Sequence, residues 1–166
     1  MYCLDADTII NVELAGWFEK LHESAKDGYI CFVEGVYRQL TDTSTRIGTK
    51  IKNWDKYGCL HKLTTVEQAL MKQLDTKYGP PFSIIKGHNY SGFWKTEGVG
   101  GGVDSQIVAV AKERGYLVVS NDNSIHGACM LEDVACIRYE EFGRRLLAGT
   151  LVQSKLFRNV LDYGSK

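Results

Sequence analysis

The stretch GGGVDSQIVAVAKERGYLVVSND, residues 100–122, decides the architecture. It reads as a glycine loop, an apolar helix, a turn at Gly115 and an apolar strand over residues 116–120. Ile107, Val108, Val110 and Ala111 supply the buried face of the helix. Gly115 stands where a helix C-terminus favours a residue in the left-handed conformation. YLVVS is apolar without alternation, as a parallel strand covered on both faces should be. An acid marks each end of the unit. Asp104 occupies an N-cap or first-turn position, and Asp122 follows the strand directly.

Working outward, Tyr2–Leu4 is a short apolar strand that ends at Asp5. Residues 8–21 carry Ile9, Ile10, Leu14, Trp17, Phe18 and Leu21 at partly helical spacing, with a break near Gly16. YICFV (29–33) is a second strand or the lead into a helix over EGVYRQLT. RIGTKIKNWDKYG (46–58) predicts an amphipathic helix. Its cations Arg46, Lys50, Lys52 and Lys56 read as a solvated face rather than a phosphate patch. TTVEQALMKQLDTKYG (64–79) predicts a helix with Val66, Leu70 and Leu74 on its stripe, ended by GPP. From Phe82 to Gly102 no period is found. The Gly- and aromatic-rich residues 86–103 are expected to form a functional loop or flap, with Tyr90, Phe93 and Trp94 as base-stacking or loop-anchoring groups. VACIRY (134–139) is a further strand, EEFGRRLLAG (140–149) a helix, and 150–166 a helical extension. This alternation predicts an α/β fold in three layers, a central, mostly parallel sheet flanked by helices, forming one domain over residues 1–166.

Lys+Arg and Asp+Glu balance at 20 each, which excludes nucleic-acid binding by bulk charge. The five cysteines are odd in number and form no CxxC, so they read as reduced, buried thiols. MYCLDADTII lacks the basic and apolar regions of a signal peptide, and no apolar run reaches the ~20 residues of a spanning helix. The expectation is a cytoplasmic protein with no membrane partner. The four histidines have no HExxH spacing, no GxSxG is present, and GVGGG lacks the Lys-Ser/Thr of a P-loop.

In parallel α/β sheets, ligands bind beyond the carboxyl ends of the strands. Asp5 and Asp122 follow strands and Asp104 opens a helix, so all three are expected at one edge. Close carboxylates raise each other's pKa unless a cation lies between them. A hard divalent ion, Mg²⁺ or Mn²⁺, relieves this and promotes phosphodiester hydrolysis.

These residues resemble a known family. YCLDADTII and GVDSQIVAVAKERGYLVVSND look like the PIN domain of VapC-type toxin ribonucleases, and YICFVEGVYRQL resembles its middle portion. The resemblance implies a PIN-like fold, metal-dependent endoribonuclease activity, and metal ligands at Asp5, Asp104 and Asp122. It implies a site-shaping role for Ser120, an RNA substrate, an antitoxin partner and a homodimer. Where the family carries a Glu between the first two acids, this chain has Gln39. Glu34, five residues earlier, is the acid offered in its place, and Asp7 replaces Asn or a small polar residue. Asn123 and Ser124 stand where a further acid is common.

Two alternatives accompany this reading. A PIN fold weakened in catalysis would serve as a nucleic-acid or protein binding module. A haloacid-dehalogenase-like phosphatase would use Asp5 as phosphoryl acceptor and Asp7 as acid, but its hydroxyl residue, here Thr8, comes one position too early.

Overall fold

The computed structural model describes residues 1–43, 45–79, 82–85, 87–90, 92–93 and 102–151. Trp94, most of the expected 86–103 flap and the expected helical extension beyond 151 lie outside the described residues. The central sheet contains β1 (Tyr2–Leu4), β2 (Ile30–Val33), β3 (Leu60–His61), β6 (Leu117–Val119) and β7 (Cys136–Ile137). Its order is β3-β2-β1-β6-β7 and every pair is parallel. A separate antiparallel hairpin joins β4 (Phe82–Ile85) to β5 (His88–Tyr90), within the stretch that showed no sequence period.

On one face of the sheet α1 (Ala6–Leu14), α2 (Phe18–Lys26) and α8 (Tyr139–Ala148) pack on one another. On the other face α6 (Val103–Arg114) lies across β1, β2 and β6, beside α5 (Thr65–Tyr78) and α7 (Asn123–Leu131). The three-layer α/β arrangement expected from the sequence is therefore present. α3 (Glu34–Thr43) leaves β2 directly and packs against α1, α6 and α4 (Thr45–Ile51).

The strands are short because each needs only to cross the core. Tyr2, Cys3 and Leu4 have no solvent exposure, and Ile30–Val33 is buried throughout. α6 is buried along nine consecutive residues, 103–111, so its lack of amphipathicity reflects burial on every side. Gly16 adopts φ +76° and breaks the first helical stretch into α1 and α2. The amphipathic helix expected over 46–58 is shorter than its pattern. α4 ends at Ile51 and a 3-10 turn, Trp54–Tyr57, carries Trp54 into the core.

α5 turns a different stripe inward than its apolar residues suggested. Met71, Leu74 and Tyr78 are buried together with Glu67, whereas Val66 is 59% exposed. Buried partners make this rotation favourable, because Glu67 becomes the hub of a hydrogen-bond cluster instead of an exposed acid. Glu132, at the C-terminus of α7, plays a similar part, accepting from Lys77 and Tyr78 of α5 and Lys112 of α6. Burial alone would raise the Glu132 carboxyl, but these donors hold it at about 2. One acid thus ties three helices of the same layer together.

The expected solvated cations are mostly engaged. Arg46 and Lys50 pair with Glu13 at 2.9 and 2.7 Å, Lys50 covers the Phe18 ring, and Lys56 covers Tyr57. Phe93 is buried against Tyr78, which makes it a loop anchor and removes it from base stacking. All five cysteines are free thiols, four buried and Cys136 half-buried. No helix among the described residues is long and apolar enough to cross a membrane.

Candidate active site

Strand order places the site. From β1 the chain builds outward to β2 and β3, then returns to the other side of β1 with β6 and β7. The order therefore reverses between β1 and β6, and such a switch point opens a crevice at the carboxyl ends of the strands. Asp5 follows β1, and Ser120, Asn121 and Asp122 follow β6. Backbone and side-chain bonds fix the two exits to each other. Asp5 N–H donates to the Val119 carbonyl at 3.1 Å, and Thr8 Oγ1 donates to the same oxygen at 3.1 Å.

Ser120 is the centre of the site. It is fully buried. Its Oγ donates to Asp5 Oδ2 at 2.8 Å and accepts the Asp122 N–H at 3.0 Å. Its carbonyl lies 2.7 Å from His126 Nε2, which donates when that nitrogen carries the proton. Ser120 thus ties the Asp5 carboxylate, at the exit of β1, to the backbone of Asp122, at the exit of β6.

Both acids also cap helices. Asp5 Oδ1 accepts the Ala6 N–H at 2.6 Å, opening α1, and Asp122 Oδ1 accepts the Ser124 N–H at 2.6 Å, opening α7. Capping and ligation are compatible, since a carboxylate has about four acceptor positions. Neither Asp5 nor Asp122 joins an ion pair among the described residues. Burial pushes the Asp5 carboxyl up to about 6, the charges of Asp7 and Asp122 add to this, and hydrogen bonds from Ser120 and Ala6 oppose it. Asp7 is exposed in the first turn of α1, so its contribution is a nearby negative charge.

Asp104 is buried in the first turn of α6. Because α6 descends into β6, its N-terminus lies at the carboxyl edge of the sheet, the same edge as Asp5 and Asp122. The cap itself is Gly102, whose N–H donates to Asp75 Oδ2 of α5 at 3.2 Å. Asp75 is a tertiary support for the segment bearing Asp104, and no sequence pattern announces it. Among the described residues no group of three His, Cys, Asp or Glu side chains is gathered so as to hold a metal ion. Ser120 links the Asp5 carboxylate to the backbone of Asp122, and the Asp122 charge acts on Asp5.

Glu34 opens α3 at the exit of β2. Its carboxylate accepts from Arg38 Nη2 at 2.8 Å and is about half exposed. Gln39 lies half-buried further along α3. Five residues along a helix is ~140° of rotation, so Gln39 and Glu34 present different faces. Arg138 carries no signal in the sequence, whereas His126, four residues after Asp122, reads there as an ordinary loop histidine near the site. Arg138, at the exit of β7, donates to the Asn121 carbonyl at 3.0 Å and to Asn123 Oδ1 at 2.7 Å, clamping the loop that carries Asp122. His126 belongs to α7 rather than to a loop, and its ring forms a wall of the Ser120 site.

Gly35 allows α3 to approach α6. A Cβ there would meet Val103 Cγ2 at 2.8 Å and Gln106 Oε1 at 2.9 Å. Its N–H donates to Gln106 Oε1 at 3.2 Å. Gly35→Ala is expected to force the first turns of the two helices apart and cost about 1–3 kcal/mol, read by urea unfolding. A cost below the error of such a measurement would mean that the contact yields freely.

A scan against models of protein families finds no match to the chain. A search among curated proteins finds no relative. The PIN likeness therefore stands on the residues quoted above.

Proposed function

We propose that the protein is a Mg²⁺- or Mn²⁺-dependent endoribonuclease of PIN type. The observation that supports it is that, at the switch point of a parallel sheet, Ser120 holds the Asp5 carboxylate and the backbone of Asp122, whose charge acts on Asp5. The donor set fits the ion. Mg²⁺ is commonly bound through one or two carboxylates, with waters and substrate phosphate completing the shell. Asp5 is a buried acid with no ion-pair partner among the described residues, and burial chiefly pushes its carboxyl up.

Asp5 and Asp122 would hold the ion; the family resemblance adds Asp104, which stands at the same sheet edge on α6 but is not gathered with them. A bound divalent ion would polarise the phosphodiester and lower the pKa of an attacking water. The protein's own residues supply position. Ser120 fixes the Asp5 carboxylate, and Arg138 fixes the Asp122 loop. Asp7 adds negative charge beside Asp5, Glu34 stands at the neighbouring strand exit, and Gln39 serves as a water-orienting amide. An inhibitory antitoxin-like partner and a homodimer belong to the same proposal through the family likeness.

The test is cleavage of a single-stranded RNA with Mn²⁺ or Mg²⁺ against the same incubation in EDTA. Cleavage with metal and none in EDTA is expected, while a generic phosphomonoester stays intact. Hydrolysis of the phosphomonoester with intact RNA would favour the dehalogenase-like reading instead. A second reading, a PIN-like module weakened in catalysis, is favoured by Gln39 in place of an acid. It predicts RNA binding without cleavage, and no calorimetric Mn²⁺ site that Asp104→Asn removes.

A further inference from the structure

Beside the acid crevice, on the β2–β3 side of the same edge, lies a cleft of about 560 Å³. It is lined by the first turn of α3 (Glu34, Gly35, Arg38), the exit of β3 (Lys62, Leu63), α5 (Gln68, Met71, Lys72) and Gln106 of α6. Its charges do not cancel. Glu34 is taken by Arg38, and neither Lys62 nor Lys72 has an ion-pair partner among the described residues. Two ammonium groups without an ion-pair partner among the described residues, beside a cleft whose one acid is held by Arg38, indicate an anionic ligand.

The uncharged lining narrows the class. Met71 is buried and Leu63 half-buried, giving an apolar surface. Gln106 accepts the Gly35 N–H through Oε1, which leaves its NH₂ as a donor. Gln68 donates its NH₂ to the Leu63 carbonyl at 3.3 Å, which leaves its Oε1 as an acceptor. An apolar wall, one amide donor, one amide acceptor and unpaired cations match the face, edge and phosphate of a nucleotide. Inorganic anions would use the lysines alone and leave the rest of the cleft without a role.

Register places the cleft relative to the acids. Cys3 pairs with Cys31, and Val33 with His61, so the exits of β1, β2 and β3 are nearly level. Lys62 therefore lies about two strand spacings, ~10 Å, from Asp5 along the edge. We propose that this cleft seats one nucleotide of a single-stranded RNA, its base on Leu63 and Met71 and its phosphates on Lys62 and Lys72. The neighbouring phosphodiester then falls at Asp5 and Asp122. The choice of ligand rests on the ribonuclease reading.

The test is fluorescence-anisotropy binding of a short labelled oligouridylate in EDTA, where no cleavage occurs. Combined Lys62→Gln and Lys72→Gln is expected to weaken binding at least about tenfold and to lower the log–log salt slope by about 1.4. Combined Lys62→Arg and Lys72→Arg should restore most of the affinity. Unchanged affinity and slope in the glutamine variant would overturn the assignment, as would a preference for an oligoglutamate peptide over RNA. Metal-dependent cleavage that persists with lysine-independent binding would refute the cleft and leave the ribonuclease reading. Lysine-dependent binding without any cleavage would do the reverse.

Discussion

Replacing Asp5 by Asn should abolish metal-dependent RNA cleavage while leaving the metal-free protein more stable at pH 7.5. The two effects have one cause. Asp5 is buried, faces the charges of Asp7 and Asp122, and has its carboxyl pushed up to about 6 from 3.8. A folded-state pKa raised in this way costs nothing below about pH 4. The cost grows as pH rises through 6 and reaches about 3 kcal/mol above it. Asn removes the charge and still caps α1, since Asn and Asp cap equally well. It loses the acceptor for the Ser120 hydroxyl, which costs about 1 kcal/mol. The net gain at pH 7.5 is then about 2 kcal/mol, turning into a small loss near pH 4. Cleavage should fall about a thousandfold, or ~4 kcal/mol of barrier. The stabilisation expected of the wild type in saturating Mn²⁺, about 2.7 kcal/mol at a hundredfold excess over Kd, should be absent from the variant. A variant that melts lower than wild type at pH 7.5 and still responds to Mn²⁺ would remove Asp5 from the site.

The residues visible in the sequence were those whose local signal and tertiary role coincide. Asp5, Asp104 and Asp122 each sit at an element boundary, where strand and helix patterns change, and the parallel topology then carries all three to one edge. Residues 100–122 contained a complete helix–turn–strand unit, because burial of α6 on every side requires an unbroken apolar run. What the sequence hid was set by long-range pairing. β3 is two residues long, too short for any period to emerge, whereas the equally short β7 lies within the apolar run 134–139 read as a strand. α7 begins in a polar SNDN stretch that reads as a turn, and only Asp122 bonding to Ser124 shows it to be a cap. Arg138 and Asp75 act across 15 or more positions of sequence, so their roles depend on the folded topology, whereas Ser120 was implied by the family resemblance. The unpaired lysines of the cleft were invisible for the same reason: exposure and missing partners are properties of the fold.

Glu67→Gln should be the most damaging substitution outside the candidate site, because a fully buried carboxylate there satisfies donors from three elements. Oε2 accepts the Thr64 N–H at 2.7 Å and lies 2.9 Å from His61 Nε2. Oε1 accepts Arg114 Nε at 2.8 Å, joining α5 to the last turn of α6. The Glu67 N–H in turn donates to the Thr64 hydroxyl oxygen, completing a capping box. A glutamine keeps one acceptor oxygen but turns an NH₂ toward a donor, so at least one buried group loses its partner. The expected cost at pH 7 is about 3 kcal/mol by urea unfolding, less than for a wholly buried pair because Arg114 is 41% exposed and reaches water. Burial would raise this carboxyl, yet the bonds from Arg114, Thr64 and His61 lower it from 4.5 to about 2. A depressed carboxylate stabilises the fold above its unfolded pKa and ceases to do so as pH falls through the folded value. The gap between wild type and Glu67→Gln should therefore be widest above pH 5 and close by about 2–3 kcal/mol as pH drops toward 2. A gap that stays constant over that range would assign the loss to side-chain shape, and the charged hub would have no part in holding α5 against α6.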